Sequence, residues 1–215
     1  MKRPNPIAPF IFRVATALTL ATAVVFQFLQ STDPTFPTLY FTVDSAILMA
    51  VVLAASLARR SPSLDVVRGA ATIGVIVSGL IYAAVIAPNS TNGTWFAPWD
   101  DTMVRTSTVL LHGIGPFLAI ADFLTHDYPA ASTHKTIALW CTWPLAYIVA
   151  ITSLAAVGIG HVPYVFLNPQ TGGGALGVAG AMTAMMAIVA LLSYMLLQVR
   201  RKVPRYVHLA SRQDV

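Results

Sequence analysis

The sequence predicts an all-α membrane protein: six transmembrane helices in a single domain over residues 1–215, with both termini cytoplasmic. Three observations lead there. Hydrophobic residues make up 56% of the chain and charged residues 10%, with a mean hydropathy of +0.71, whereas a soluble domain carries about 25% charged residues. Six apolar runs each approach the roughly 20 residues that cross a bilayer. Lys and Arg collect between those runs, mostly on one side.

The first span covers about 9–30, after a short basic start holding Lys2 and Arg3, and carries Arg13 in its first turns. Its apolar run is long for a signal peptide and no small-x-small cleavage site ends it, so it reads as a retained helix. The turn-rich loop that follows contains Asp33 and no Lys or Arg. The second span, about 38–57, opens Leu-Tyr-Phe-Thr-Val-Asp-Ser, placing Thr42, Asp44 and Ser45 in its first two turns; Arg59 and Arg60 end it. Asp65 and Arg68 fall at the linker into the third span, about 66–87, which has Tyr82 near its far end. The acidic loop 88–101 holds Trp95 and Trp99, residues suited to an interfacial belt.

The fourth span, about 102–125, carries Arg105, His112, Pro116 and Asp122. After a linker with His126, His134 and Lys135 comes the fifth, about 136–157, with Trp140, Trp143, Pro144 and Tyr147. A loop without formal charge, including Tyr164 and Asn168, leads to the sixth span, about 174–198, rich in Ala, Gly and Met. The tail holds Arg200, Arg201, Lys202, Arg205 and Arg212. An even number of spans puts both termini on one side. Lys2, Arg3, Arg13, Arg59, Arg60, Arg68, Lys135 and the tail share that side, while Asp33, Asp100 and Asp101 lie opposite, with only Arg105 near them. The positive-inside rule makes the basic side cytoplasmic. The pI near 9.7 is therefore a topology signal and gives no reason to expect a nucleic-acid partner.

His112 is the only histidine within a span, and ionisable groups at membrane depth are candidates for function. A structural hydrogen bond is the competing explanation. On the second span a Thr hydroxyl such as Thr42 is a nucleophile if a base takes its proton, although hydroxyls in membrane helices commonly bond their own backbone. At about 1.5 Å per residue, Thr42 lies roughly 6–8 Å below its helix start and His112 roughly 15 Å below its own. Thr42 and Ser45, three apart, share a helix face. Asp44 either pairs with Arg105 or snorkels to the interface. Asp122, about 15 Å along the helix from His112, is too far to orient it and reads as an inner-interface residue. Tyr82 and Arg105 belong to the outer half, where the loop around Tyr164 and Asn168 caps the same space.

Several patterns carry no chemistry. Gly172, Gly174 and Gly177 match G-x-G-x-x-G, but no strand precedes them and a membrane span follows. Gly173 and Gly177, followed by Ala181, suit close helix packing. Asn89 and Asn92 are formal glycosylation acceptors. One intramembrane histidine argues against a two-ligand haem site, and the single Cys141 rules out an internal disulfide or a multi-cysteine metal site. Nothing calls for a metal or another cofactor.

In order, LYFTVDS opens span two, GLIYAAVIAP ends span three, LLHGIGPFLAIADFL forms span four, WPLAYI lies in span five and HVPYVFLNP precedes span six. The chain thereby resembles the bacterial six-span branch of the androgen-induced membrane protein family over about residues 12–201. The resemblance implies an integral membrane hydrolase of fatty acid esters of hydroxy fatty acids, working with an intramembrane Thr and His. The family's Thr falls on Thr42 and its His on His112. Ser45, Tyr82, Arg105, Trp143, Tyr164 and Asn168 are then candidates to bind substrate, with Asn168 standing where the family usually has Asp. The expected partner is a membrane lipid or fatty-acyl ester, and the expected location a bacterial cell membrane. A non-catalytic lipid-binding or transport protein with the same polar pocket is the alternative. A proton-coupled carrier using Asp44, Arg105 and His112 is disfavoured by the lack of a visible inverted repeat.

Overall fold

A computed structural model describes residues 7–30, 37–59, 61–90, 92–125 and 133–202. Lys2, Arg3, Asp33, Arg60, His126, Arg205 and Arg212 lie outside the described residues. Among the described residues all regular structure is helical. Six helices are long and apolar enough to cross a membrane: α1 (Ile7–Leu29), α2 (Phe41–Ala58), α3 (Pro62–Ile86), α4 (Thr102–Thr125), α5 (Thr133–Ala156) and α6 (Gly174–Lys202).

The helix ends follow local chemistry. Ser61 caps α3, its hydroxyl accepting the Leu64 N–H at 3.2 Å, and Pro62 occupies the first turn, where its missing N–H costs nothing. Asp65 and Arg68 therefore lie inside α3, not in a linker as the hydropathy pattern suggested. Asp101 caps α4 through the Val104 N–H at 2.9 Å. Arg200, Arg201 and Lys202 close α6, where cations favour the negative end of the helix dipole.

α3 is the centre of the bundle. Every residue from Arg68 to Gly79 is buried, as expected of a helix that is apolar and small-featured all round. Three of its glycines receive a neighbour at close range. A Cβ on Gly69 would fall 2.2 Å from the Trp140 ring of α5. One on Gly74 would meet Ser45 Oγ of α2 at 2.7 Å, and one on Gly79 the His112 carbonyl oxygen of α4 at 2.8 Å. Small residues thus seat helices against α3, as in other membrane bundles. The expected packing role of Gly173 and Gly177 takes a different form: a Cβ on Gly177 would strike the Gly172 carbonyl of its own loop at 2.0 Å, so Gly177 seats that loop and not a second helix. On the periphery, α1 and α6 expose Phe10, Leu18, Phe28, Leu191 and Met195, side chains suited to a lipid environment.

At the end where α2 and α4 finish, charges are buried. Arg13 Nε lies 3.4 Å from Asp122 Oδ1, and Arg68 Nη1 3.7 Å from Asp122 Oδ2. Arg68 also pairs with Asp65 at 3.4 Å. Arg13 Nη1 donates to the Ser56 carbonyl at 3.5 Å. Asp122 has no exposed surface and Arg68 only 1%. Asp122 is enclosed by protein. It sits between two guanidinium groups from α1 and α3, which is how a carboxylate is tolerated away from water.

Candidate functional site

The opposite end of the bundle holds a cavity of ≈ 860 Å³. All the helices but α5 contribute to its wall, along with the α3–α4 and α5–α6 loops. Of the catalytic and binding residues expected from the sequence, Thr42, Tyr82, His112 and Tyr164 line it. Asp100 is a carboxylate on this wall, and neither Lys nor Arg lines it among the described residues.

His112 and Tyr82 sit on two π-turns that face each other. In α3 the Ala87 N–H reaches back five residues to the Tyr82 carbonyl at 2.8 Å. In α4 the Gly115 N–H likewise reaches the Leu110 carbonyl. Each turn closes immediately before a proline, Pro88 or Pro116, which has no N–H to continue the ladder. π-Turns inside helices recur at functional sites. Here they bring the two rings into a stack, with centroids 3.9 Å apart and planes 19° off parallel. The Tyr82 hydroxyl is anchored by donating to the Trp95 carbonyl at 2.8 Å, and the Trp95 ring packs edge-on to Tyr82. Trp95 therefore backs Tyr82, whereas Trp99, although exposed, lines the cavity itself.

The His112 Nδ1 lies 3.1 Å from the Thr108 carbonyl oxygen. A carbonyl only accepts, so in the neutral ring Nδ1 carries the proton and Nε2 is left as a proton acceptor. Thr42 stands in the first turn of α2. Its side chain interacts with Tyr164, whose hydroxyl accepts the Phe41 N–H at 3.1 Å. Burial pushes the Tyr164 phenol up to about 12 from an ordinary 10.0, against the opposing effect of its hydrogen bonds to Thr42 and Phe41. A smaller apolar pocket of ≈ 20 Å³ adjoins Thr42, walled in part by Phe41, Ile81, Tyr147 and Met185.

Thr42 and His112 share the cavity, and no hydrogen bond joins them. The buried charges fix a common level for measuring their heights, since Arg13 bonds both Ser56 of α2 and Asp122 of α4. At about 1.5 Å per residue, Thr42 stands about 21 Å above Ser56 and His112 about 15 Å above Asp122. An offset of roughly 6 Å remains.

The other four predicted binding residues lie elsewhere. Ser45 is fully buried and accepts the Trp143 indole N–H at 3.0 Å. That bond ties α2 to α5 over Gly74, so neither side chain lines the cavity, although Ser45 is only three residues from Thr42. Arg105 is exposed; it donates to the Asp100 carbonyl at 2.9 Å and lies 5.7 Å from the Phe96 ring centroid. No ion pair joins it to Asp44. Asn168 accepts the Gln170 N–H at 2.9 Å and so shapes its own turn.

Hydropathy reading passed over Gln27 and Gln30, which α1 contributes to the wall together with Thr108 of α4. Two glutamines three apart near the end of an otherwise apolar helix were the available signal. No protein-family model, curated protein or solved structure matches the chain.

Proposed function

We propose that this chain is a multi-pass membrane hydrolase of fatty-acyl esters, with its termini in the cytoplasm of a bacterial cell and its cavity in the outer half of the membrane. The family resemblance suggests fatty acid esters of hydroxy fatty acids as the substrate type. The observation that carries the reading is the convergence of Thr42, Tyr164, Tyr82 and His112 on one cavity. The preset tautomer of His112 supports it further, because it leaves Nε2 free to act as a base.

In this mechanism Thr42 Oγ bonds to the ester carbonyl carbon as its proton passes to His112 Nε2. A bridging water would carry the proton across the offset of roughly 6 Å between the two residues. The imidazolium then protonates the departing alcohol, leaving an acyl-threonine. Water attacks the acyl carbon, giving a proton to His112, and the imidazolium returns it to Thr42 Oγ as the bond from the acyl carbon to Oγ breaks, which releases the fatty acid and restores Thr42 and His112. The Tyr164 phenol, protonated at neutral pH as tyrosines are, lines the cavity beside Thr42 at the same end of α2.

The test is turnover of acyl esters, and labelling by an electrophilic hydrolase probe, with purified protein. Thr42→Ala and His112→Ala should each lose at least about 100-fold in rate and lose labelling, with unfolding midpoints close to wild type. Undiminished labelling and turnover in both variants would exclude the mechanism. The absence of a Thr42–His112 hydrogen bond favours one second reading, a lipid-binding protein without chemistry. It predicts that acyl ester is recovered intact from wild type and both variants.

A further inference from the structure

The large cavity and the small apolar pocket meet. Thr42, Tyr164, Ile86 and Phe166 line both. On α6, Gly177 and Ala181 line the cavity and Met185 lines the pocket. Residues four apart share a helix face. The two spaces therefore follow one another down a single face of α6, over about 12 Å from Gly177 to Met185. Their course runs from the cavity toward the middle of the bundle. There Ile81 and Met185 are half-buried, while Leu80 and Ala184 beside them are exposed. The pocket thus borders the surface at the seam between α3 and α6, where a membrane bundle meets lipid.

The two spaces differ in chemistry. His112 lines the cavity and not the pocket. In the pocket, Ser78 Oγ donates to the Gly74 carbonyl at 2.8 Å and the Tyr147 hydroxyl to the Leu39 carbonyl at 2.7 Å. Its other polar side chains, Thr42 and Tyr164, belong to the cavity wall as well. A polar head group gains little in such a space, and a methylene chain loses nothing. The departing alcohol needs His112 to protonate it, so the alcohol half of the ester lies in the cavity. The acyl half then lies across Thr42 from His112, at the pocket. A space of ≈ 20 Å³ holds about one water-sized group. It takes only the start of an acyl chain, and the remainder has to leave through the seam. A lipid chain also points from its head group toward the bilayer centre, the direction in which the pocket continues.

We infer that the seam between α3 and α6 is the acyl-chain subsite and lateral entrance of the cavity. An unbranched acyl chain passes between Ile81 and Met185, its first carbons in the small pocket and its remainder in lipid. Met185, flexible and unbranched, controls what passes. The inference rests on the ester-hydrolase reading for which half of the substrate lies on which side of Thr42. It adds a route and a shape requirement: a linear chain delivered from the bilayer and not from water.

Two measurements on full-length protein in detergent test it. The first compares turnover of p-nitrophenyl acetate, whose acyl group ends in the pocket, with p-nitrophenyl palmitate, whose chain needs the seam. Met185→Trp should lower the ratio of palmitate to acetate turnover at least about tenfold. Ala184→Trp, on the exposed face of the same turn, should leave that ratio unchanged. The second uses His112→Ala protein, so that turnover is not needed, and a palmitoyl ester carrying a diazirine on the third acyl carbon. Photolabelling that excess unlabelled ester displaces should map to residues 78–86 of α3 and 181–189 of α6. An unchanged ratio in Met185→Trp, an equal fall in Ala184→Trp, or displaceable label on α1 and α4 instead would overturn the inference. If Met185→Trp does not yield folded protein, the labelling decides alone. Displaceable label at the seam, with a wild type that hydrolyses neither ester, would sink the hydrolase reading and keep the subsite. Turnover without displaceable label would sink the subsite alone, and absence of both would sink both.

Discussion

The two ends of the bundle treat polar groups in opposite ways. At one end, Arg13, Arg68 and Asp122 are ionisable and buried, and they satisfy one another across α1, α3 and α4. At the other end Gln27, Gln30, Thr42, Tyr82, Thr108, His112 and Tyr164 surround open space. Membrane depth alone makes every ionisable residue a candidate for function. The contrast shows what divides them. Groups whose partners come from the protein fix the helices in register, whereas groups that face a cavity remain available to a ligand. The charged end also sets the geometry of the open end, because it holds α2 and α4 at a common level from which Thr42 and His112 are measured.

The largest expected effect tests the closed end. Asp122→Asn leaves two guanidinium groups without their shared carboxylate and should cost about 3–5 kcal/mol, read as a fall in unfolding midpoint in detergent or a loss of folded yield. An unchanged midpoint would show that the charges do not hold the bundle together. A smaller effect is expected beside these charges, one residue along α3 from Arg68. Gly69→Val drives a side chain into the Trp140 ring and should cost about 1–3 kcal/mol; a neutral result would mean that α3 and α5 separate freely at that point. The smallest is at the open end. Tyr164→Phe removes the acceptor of the Phe41 N–H and should cost about 1 kcal/mol. Because folding raises the Tyr164 pKa from 10.0 to about 12, its contribution is fully present below pH 10.0 and lost as pH rises through about 12. Wild type should therefore lose more stability than Tyr164→Phe over that alkaline window, and identical alkaline slopes would contradict the burial of this phenol.

Much of the fold was legible in hydropathy. The six helices fall within a few residues of the apolar runs, because a span long enough to cross a bilayer leaves a continuous signal. Caps refined the ends: Ser61 and Pro62 start α3 early and bring Asp65 and Arg68 into the helix. The site was only half legible. Thr42, Tyr82, His112 and Tyr164 were found as polar groups near one end of their elements. Ser45 and Trp143 do not line the cavity, because period and spacing give a residue's face but not its neighbour, and the neighbour of Ser45 is the indole of Trp143. Arg105 and Asn168 were assigned to the same space by depth, and each spends its hydrogen bonds on nearby backbone instead.

The sequence by itself determined that the chain makes six apolar helices, where prolines interrupt two of them, and which polar side chains lie near each end. Only the tertiary structure decided which of those side chains meet. Asp122 became a buried counter-ion because α1 and α3 bring arginines to it, and His112 came to face Tyr82 because Gly79 lets the π-turn of α4 approach α3 closely. Gln27 found a partner in Ser107, far along the chain, because α1 packs against α4. The physical reason is the same in each case: a helix sets its own hydrogen bonds locally, while the partner of a side chain is set by which helices pack against it.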